Sequence, residues 1–470
     1  MTTTADTGPL GADAGGPPSF DPAEAPRLRT AVPGPRSQAL WQRDAAHHAS
    51  NSSPGAQWLR LVIADGQGAV VRDVDENLFL DFSSGAVVAN LGHAPPTVAA
   101  ALATQAERFL HYFDFATPVR AEFFEALAAT LPPELSTFQM YSTGAEVVEA
   151  ALRLAKSATG RYEVLSFHQA WHGRTLAAMG LMGGFALKHG YGPFPPGAIH
   201  APNPSCYRCP LGLERATCET ECTSLVDRAL AQSSEDRLAA VIVEPVQGVG
   251  GVIPVPPEFL AHLRAVCDRT GALLVFDEVL TGVGRTGTMW AFEQSGVVPD
   301  VLLAGKGLAG GFPISLIASR RELLDTGPFG RPGAGASTFA SGNLACGAGK
   351  AVLDLLADGT VLANARQVGA VLRSGLEDLA PRHRLVGDVR GVGMLLALEL
   401  VADRASKDPI GPPVARHLLL ALAQRGVLVA GAGAVLRITP PLVLTEAQAR
   451  QGLAILDDAL TEVESALDGG

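Results

Sequence analysis

Cysteine is scarce, six in 470 residues, which argues against the disulfide framework of a secreted domain. Long basic runs are also missing. The 36 lysines and arginines are outnumbered by 47 aspartates and glutamates, a formal net charge of −11, so nucleic acid is not an expected partner. No stretch of about 18 uncharged apolar residues occurs, because Arg425 breaks the nearest candidate, and no membrane span is expected. The first 36 residues are rich in Ala, Gly, Pro, Thr and Asp but lack an apolar core. They read as a disordered tail, not a signal peptide. No internal repeat is present. These absences point to a cytoplasmic protein. What is plentiful is apolar: 47% of the chain is hydrophobic, ample for a large core. The length suits two or three domains of roughly 100–200 residues each.

The chain is organised around residues 273–313. A short apolar run, 273–276, is bounded by turn residues, as a buried parallel strand would be. It ends in Asp277 and Glu278. After a Gly-rich loop, a second apolar run, 301–304, ends at Lys306. An acid and a lysine thus stand just past the carboxyl ends of two neighbouring expected strands. Open α/β sheets carry their ligand crevice at that edge. A lysine there can form a Schiff base with an aldehyde cofactor, and a buried acid can keep a pyridinium nitrogen protonated. Pyridoxal 5′-phosphate needs both. Either residue alone would pass for a loop lysine or a strand-end cap; the pair points to the chemistry.

Folding is expected to begin near Ser37, with residues 61–63, 70–74 and 79–82 as short strands and 95–110 as a helix. Residues 141–146 open a second helix, on which Glu149 and Arg153 form a supporting i,i+4 pair. Gly144 there lets the backbone approach a ligand, and free N–H groups at a helix start suit a phosphate; the same motif also reads as a plain capped helix. A strand at 162–167 leads to the loop Trp171-His172-Gly173-Arg174-Thr175, whose tryptophan can stack on a flat ring or simply pack in the core. Another strand, 238–243, ends at Glu244. Alternation with helical segments such as 257–269 predicts an α/β domain with a mostly parallel sheet. A separable C-terminal region follows the helix 345–357, with helices at 362–379, 412–425 and 446–467 and strands at 394–400, 427–430 and 434–438.

Several motifs occur in a fixed order: Ser142-Thr-Gly-Ala-Glu146, Trp171-His-Gly173, Glu244-Pro-Val-Gln247, Asp277-Glu278, Thr281-Gly-Val-Gly-Arg-Thr-Gly287, Lys306, Ser337-Thr-Phe339 and Leu436-Arg-Ile-Thr-Pro-Pro441. From about residue 57 to residue 467 the chain resembles the class III, or ω-, aminotransferases of fold-type I. It is similar in particular to the subgroup holding 2,2-dialkylglycine decarboxylase and the alanine–glyoxylate aminotransferase-like members. The resemblance implies an α/β fold: a large cofactor domain (95–344) with a mostly parallel sheet flanked by helices. A smaller α+β domain would come from the N-terminal segment (37–94) and the C-terminal one (345–470).

It further implies that Lys306 forms the Schiff base and moves protons, and that Asp277 pairs with the pyridine nitrogen. Gly144 and Ala145, with Thr143, would hold the phosphate. Trp171 would stack on one ring face and Val279 pack the other, with His172 and Glu244 completing the cofactor site. Thr338 would reach the phosphate of the partner subunit, making a homodimer with shared active sites; a tetramer stays open. Arg437 would bind a substrate carboxylate through its planar fork. The implied activity is transfer of an amino group from an amino acid or ω-amino donor to a 2-oxo acid by a ping-pong mechanism. Decarboxylation-dependent transamination, epimerisation and a non-enzymatic binding or regulatory role are the alternatives.

Three departures bear on that choice. Leu280 stands where many members carry a Gln that touches the ring hydroxyl. Val249 stands where many ω-amino specialists carry a Glu able to neutralise the arginine. In dialkylglycine decarboxylase a Gln and a Ser hold the leaving carboxylate. Those positions align with Ala86 and Val249, whose side chains cannot hydrogen-bond it. Transfer without obligatory loss of CO2 is therefore expected.

One segment, 203–222, stands apart. Cys206, Cys209, Cys218 and Cys222 have the count and two close pairs of a four-thiolate site, so a structural zinc is one reading. An iron–sulfur cluster and an ordered loop of reduced thiols are the others. Cys267 and Cys346 fall in expected helices and read as packing residues.

Overall fold

The computed structural model describes residues 20–431 and 433–469, so positions 1–19 of the expected tail lie outside the described residues. Residues 20–36 differ from the expectation of disorder. Ala25 and Val32 are buried, and Arg27 exchanges backbone hydrogen bonds with Leu78 at 3.0 and 2.8 Å. The Asp75 carboxylate then accepts the N–H groups of Arg36 and Ser37 where the helix Pro35–Ala45 begins. Tertiary partners, invisible in local composition, order this segment.

The N-terminal strands are β1 (Ile63–Gln67), β2 (Val70–Asp73) and β3 (Leu78–Phe82), paired antiparallel. Only Ile63 of the expected strand 61–63 is in β1. Two helices follow, α1 (Pro96–Ala106) and α2 (Pro118–Ala128), each opening on proline, whose missing N–H costs nothing in the first turn.

The large sheet then assembles from β4 (Thr137–Tyr141), β5 (Glu163–Phe167), β6 (Ala198–Ala201), β7 (Leu238–Val243), β8 (Leu273–Asp277), β9 (Val301–Gly305) and β10 (Ser315–Ser319). Their spatial order is β4-β10-β9-β8-β7-β5-β6. Only β10 runs against its neighbours. Strands β5, β7, β8, β9 and β10 are buried along their whole length, because helices cover both faces. Helix α3 (Gly144–Thr159) lies on one face. On the other lie α4 (Pro257–Thr270) and α5 (Asn343–Leu356), which bury Cys267 and Cys346. Helix α5 approaches α2 closely: a Cβ on Gly349 would stand 2.6 Å from the Phe123 ring.

The remaining elements are α6 (Thr360–Leu379), β11 (Val386–Val392), β12 (Leu395–Asp403), α7 (Pro412–Ala423), β13 (Val427–Val429), β14 (Val435–Ile438) and α8 (Glu446–Asp468). Strand β13 pairs with β3, so the two chain ends share one sheet and one apolar core. Strand β12 lies between β11 and β14, and its register sets Arg390, Ala397 and Arg437 in one row. Among the described residues no helix is long and apolar enough to cross a membrane.

Candidate active site

Two parallel neighbours, β8 and β9, carry the central pair. Asp277 is the last residue of β8, and Lys306 follows β9 directly. Lys306 holds φ at +46°, a left-handed conformation rare for a side-chain-bearing residue. Such strain clusters at functional sites because the surrounding fold imposes it. Both residues line a hollow of about 210 Å3 with Gly144, Ala145, Trp171, His172, Glu244, Val279 and Leu280.

The walls of the hollow have separate origins. Gly144 and Ala145 are the first residues of α3, whose N-cap Thr143 takes the N–H of Glu146 on its side chain. The leading N–H groups of that helix stay unpaired within it, as at any helix start. A Cβ on Gly144 would press on Val279 at 3.1 Å. Trp171 is half-buried and braced by the edge of Phe185, with the guanidinium of Arg174 5.3 Å from the centre of its ring. Arg174 thus stands beside the cofactor wall as an exposed cation. The expectation gave it no role, although it follows His172 and Gly173 directly.

The polar floor is built from three side chains. His172 Nδ1 and Asp277 Oδ2 are 2.8 Å apart, and the other ring nitrogen, Nε2, is buried with no partner. Burial alone would depress the imidazole, but the hydrogen bond and charge of Asp277 outweigh it and lift it above the ordinary value. Glu244 accepts the N–H of Trp171 at 2.8 Å and that of Gly248 at 2.9 Å. Burial pushes its carboxyl up to about 7, with His172 and Asp277 pulling in opposite senses. Lys306 is packed in, although part of its side chain faces the hollow. Burial brings its amine down to about 8; Asp277 and Glu244 oppose that, and the Arg437 charge adds to it. An amine lowered in this way, beside two acids, has the properties a lysine nucleophile and base requires.

Residues 51–460 match the family model for aminotransferase class-III. The chain belongs to the class III aminotransferases. It is 36% identical to the diaminobutyrate–2-oxoglutarate aminotransferase of Rhizobium meliloti (strain 1021), over 86% of this chain and 88% of that one. It is 32% identical to an alanine/serine racemase of Pyrococcus horikoshii, over 93% of each. A thermostable (S)-enantioselective ω-transaminase from Thermomicrobium roseum superposes with a TM-score of 0.85 at 32% identity, covering 91% of this chain and 98% of that one. As a class III aminotransferase, the protein moves amino groups by Schiff-base chemistry on pyridoxal phosphate.

The residues lining the hollow fit that cofactor. A flat ring would have the Trp171 indole and Val279 as walls, its nitrogen would find a buried carboxylate, its phosphate a helix start, and its aldehyde a buried amine. Other expected residues lie off this hollow. Thr143 presents its carbonyl to Ser315. Thr338 is exposed in a turn whose neighbour Ser337 bonds Glu146 on α3. Arg437, on β14, is partly buried, and no hydrogen bond or ion pair engages its guanidinium among the described residues. The aminotransferase also departs from the expected Glu149–Arg153 pair. Glu149 accepts from Thr175 and from the N–H groups of Ala177 and Ala178, while Arg153 donates to the Ala334 carbonyl. Capping a neighbouring helix satisfies more groups than one exposed ion pair.

The cysteine segment is remote from this chemistry. Among the described residues no three His, Cys, Asp or Glu side chains stand close enough together to hold a metal ion. The spacing-based expectation of zinc therefore has no formed centre behind it, although all four thiols border one narrow hollow.

Proposed function

We propose that this aminotransferase takes an amino group from an α- or ω-amino donor and passes it to a 2-oxo acid while keeping the donor's carboxylate. The observation that carries this reading is the free Arg437 guanidinium beside Lys306, with no acid to neutralise it among the described residues. A guanidinium fork holds a planar carboxylate by two parallel bonds. A carboxylate so held near the plane of the ring is not the group that departs. The polar side chains in the two motifs that hold the leaving group in the decarboxylating relative are committed elsewhere. Ser84 donates to the Thr439 carbonyl, and Gln247 is held between Asn203 and the His168 carbonyl. Ala86 and Val249 add no donor.

Bound pyridoxal phosphate supplies an aldehyde that condenses with amines and a ring that withdraws electrons from the adjoining carbon. The chain's own residues do the rest. Gly144 and Ala145 offer backbone N–H groups to the phosphate, and Trp171 and Val279 hold the ring between them. Asp277, oriented by His172, keeps the ring nitrogen protonated. Glu244 fixes the backbone of Trp171 and Gly248. Lys306 Nζ is the amine that would hold the cofactor's aldehyde and, once displaced by the donor amine, would be the base that takes the proton from the donor's Cα. Zinc is given no part in this scheme.

The assembly we propose is a homodimer. Phe339, next to Thr338, packs on His111, whose neighbour Tyr112 packs on Phe115; Tyr112, Phe115 and Phe339 are all exposed, and such aromatics need covering. A second copy would cover it and bring Thr338 to its neighbour's phosphate. Six unpaired thiols suit a reducing compartment, which we take to be the cytoplasm.

Epimerisation begins with the same proton removal, and the Pyrococcus horikoshii relative is a racemase. A donor screen that follows amino transfer, CO2 and chirality together tests the reading. Transfer without stoichiometric CO2 is expected. Consumption of 2-aminoisobutyrate with one CO2 per turnover, and inactivity on donors bearing a Cα–H, would sink it. Racemisation without net transfer would replace it.

A further inference from the structure

Residues 203–222 form an insert with no helix or strand. Of its residues only Pro204 and Thr220 are buried. A segment of this size cannot hold a shape by apolar burial, and small units without a core rely on disulfides or metals. There is no disulfide: all four cysteines are free. Yet the insert makes defined contacts with the small domain. Lys407 Nζ donates to the Tyr207 carbonyl at 2.7 Å, and Arg208 donates to Glu399 on β12 and to the Lys407 carbonyl.

The insides of the turns face one hollow. Cys206, Cys209, Cys218 and Cys222 all border it, with prolines, leucines and Arg215 among the other walls and no carboxylate or imidazole. Its volume is about 20 Å3, room for one water-sized body. Two of the sulfurs have long contacts to carbonyls, Cys206 to Pro204 at 3.9 Å and Cys218 to Arg215 at 3.8 Å, and the Arg215 guanidinium also lies against Cys218. The four thiols do not stand close enough together to hold an ion as the turns lie, but all four border the same small space without hard ligands, a donor set that selects a soft, tetrahedral divalent ion.

We infer that the four cysteines of this insert bind one zinc ion, and that the ion holds the insert as a clip between the two domains. The thiols border the hollow at more than coordinating separation, so the turns close on the ion as it binds. Metal binding and local ordering are then one event. The clip extends inward. Glu399 also accepts from Arg390 at 2.6 Å, and Arg390 Nε donates to the Gly251 carbonyl at 2.8 Å. Gly251 lies in the loop whose Gly248 N–H holds Glu244.

The experiment uses the reduced full-length protein, stripped with chelator and then given zinc or cobalt. One zinc per chain is expected. Cobalt should give thiolate-to-metal charge transfer and the visible bands of a tetrahedral site. The double variant Cys209→Ser/Cys218→Ser should lose both, while Cys267→Ser, outside the insert, should keep them. Zinc, but not magnesium, should raise the thermal midpoint of the stripped wild type. Folded wild-type protein that takes up no zinc and shows no cobalt–thiolate bands overturns the site. Iron recovered with sulfide overturns the choice of metal. Stoichiometric zinc without a change in thermal midpoint overturns the clip.

Discussion

His172 Nδ1 lies 2.8 Å from Asp277 Oδ2, and this buried pair sits at the base of the cofactor hollow with the far ring nitrogen unpartnered. The bond aims the carboxylate, while the Val279 N–H donates to its other oxygen at 3.1 Å. A carboxylate fixed on both oxygens is preorganised to hold a cationic ring nitrogen. Asp277→Asn keeps the shape and removes the charge. It should slow the half-reaction with an amino donor by roughly 10²-fold or more, by analogy with removal of a preorganised donor. Stopped-flow measurement of that half-reaction checks it, and an unchanged rate would count against the role.

Lys306 should titrate far below a free lysine. Its amine is held to about 8, against about 10.4 for an ordinary side chain. Because the folded value is depressed, the neutral, nucleophilic form appears as pH rises through 8. Covalent capture of added pyridoxal phosphate by cofactor-free protein should follow that midpoint, read from the absorbance change. Lys306→Ala should fold, show no covalent capture and lose turnover. A midpoint near 10 would remove the assigned environment.

Glu278 sits next to Asp277 in the chain but faces away from the hollow. It accepts the N–H groups of Ala291 and Phe292 and the Thr281 hydroxyl. Burial lifts it to about 7 despite those bonds. A raised acid binds its proton more tightly in the folded state. The stability this contributes is complete below about 4.5, the unfolded value, and is lost as pH rises through about 7. Glu278→Gln loses an acceptor at every pH but removes that titration. Its stability should therefore decline less steeply than wild type between pH 5 and 7, by up to about 1.4 kcal/mol per pH unit. Denaturant titration across that range checks the slope; parallel curves would refute it.

What could be read from the chain was local. Lys306 and Asp277 were legible because each ends a short apolar run between turn residues, a pattern complete within a few positions. Strand β11 was not, because Gly387, Asp388, Arg390 and Gly391 break its alternation; pairing with β12 overrides propensity. The order of residues 25–36 depends on Leu78 and Asp75, about forty to fifty positions away. Arg285 shows the same limit. It was visible as a letter in a glycine-rich motif, but its role comes from Ser84, Asn90, Met394 and Pro440, scattered over the whole chain.

Arg285 is fully buried, with no carboxylate bonded to it among the described residues, and burial lowers it to about 9. Four hydrogen bonds from its two terminal nitrogens join Ser84 and Asn90 of the N-terminal segment to Met394 and Pro440 of the C-terminal region, while Nε is buried without a partner. Arg285→Met should cost about 3 kcal/mol or more, since several buried acceptors lose their donor at once. Chemical denaturation measures this directly. A loss within about 0.5 kcal/mol, the usual range for surface substitutions, would show that the junction holds without it.

The carboxylate site proposed at Arg437 would link specificity to the Lys306 amine, on which its charge acts. It occupies the row of β14, β12 and β11 that also carries Ala397 and Arg390. Burial lowers its own pKa, and its charge lowers that of Lys306. Arg390 is occupied by Asp388, Glu399 and the Gly251 carbonyl, so of these two arginines only Arg437 is left for a substrate. A charged hydrogen-bonded contact contributes about 2–3 kcal/mol. Arg437→Leu should then lower kcat/KM for α-amino acids by roughly 30- to 150-fold, and spare donors that are simple amines. Arg437→Lys should recover only part of the loss, because a point charge cannot form the two-pronged bond. An equal loss on both donor classes would mean that Arg437 supports the fold rather than the carboxylate. The same Leu variant carries an independent readout. Removing the nearby cation takes away one cause of the depressed Lys306 amine, so the midpoint of cofactor capture should move above 8. If specificity changes while that midpoint stays fixed, the arginine reaches the substrate but not the lysine.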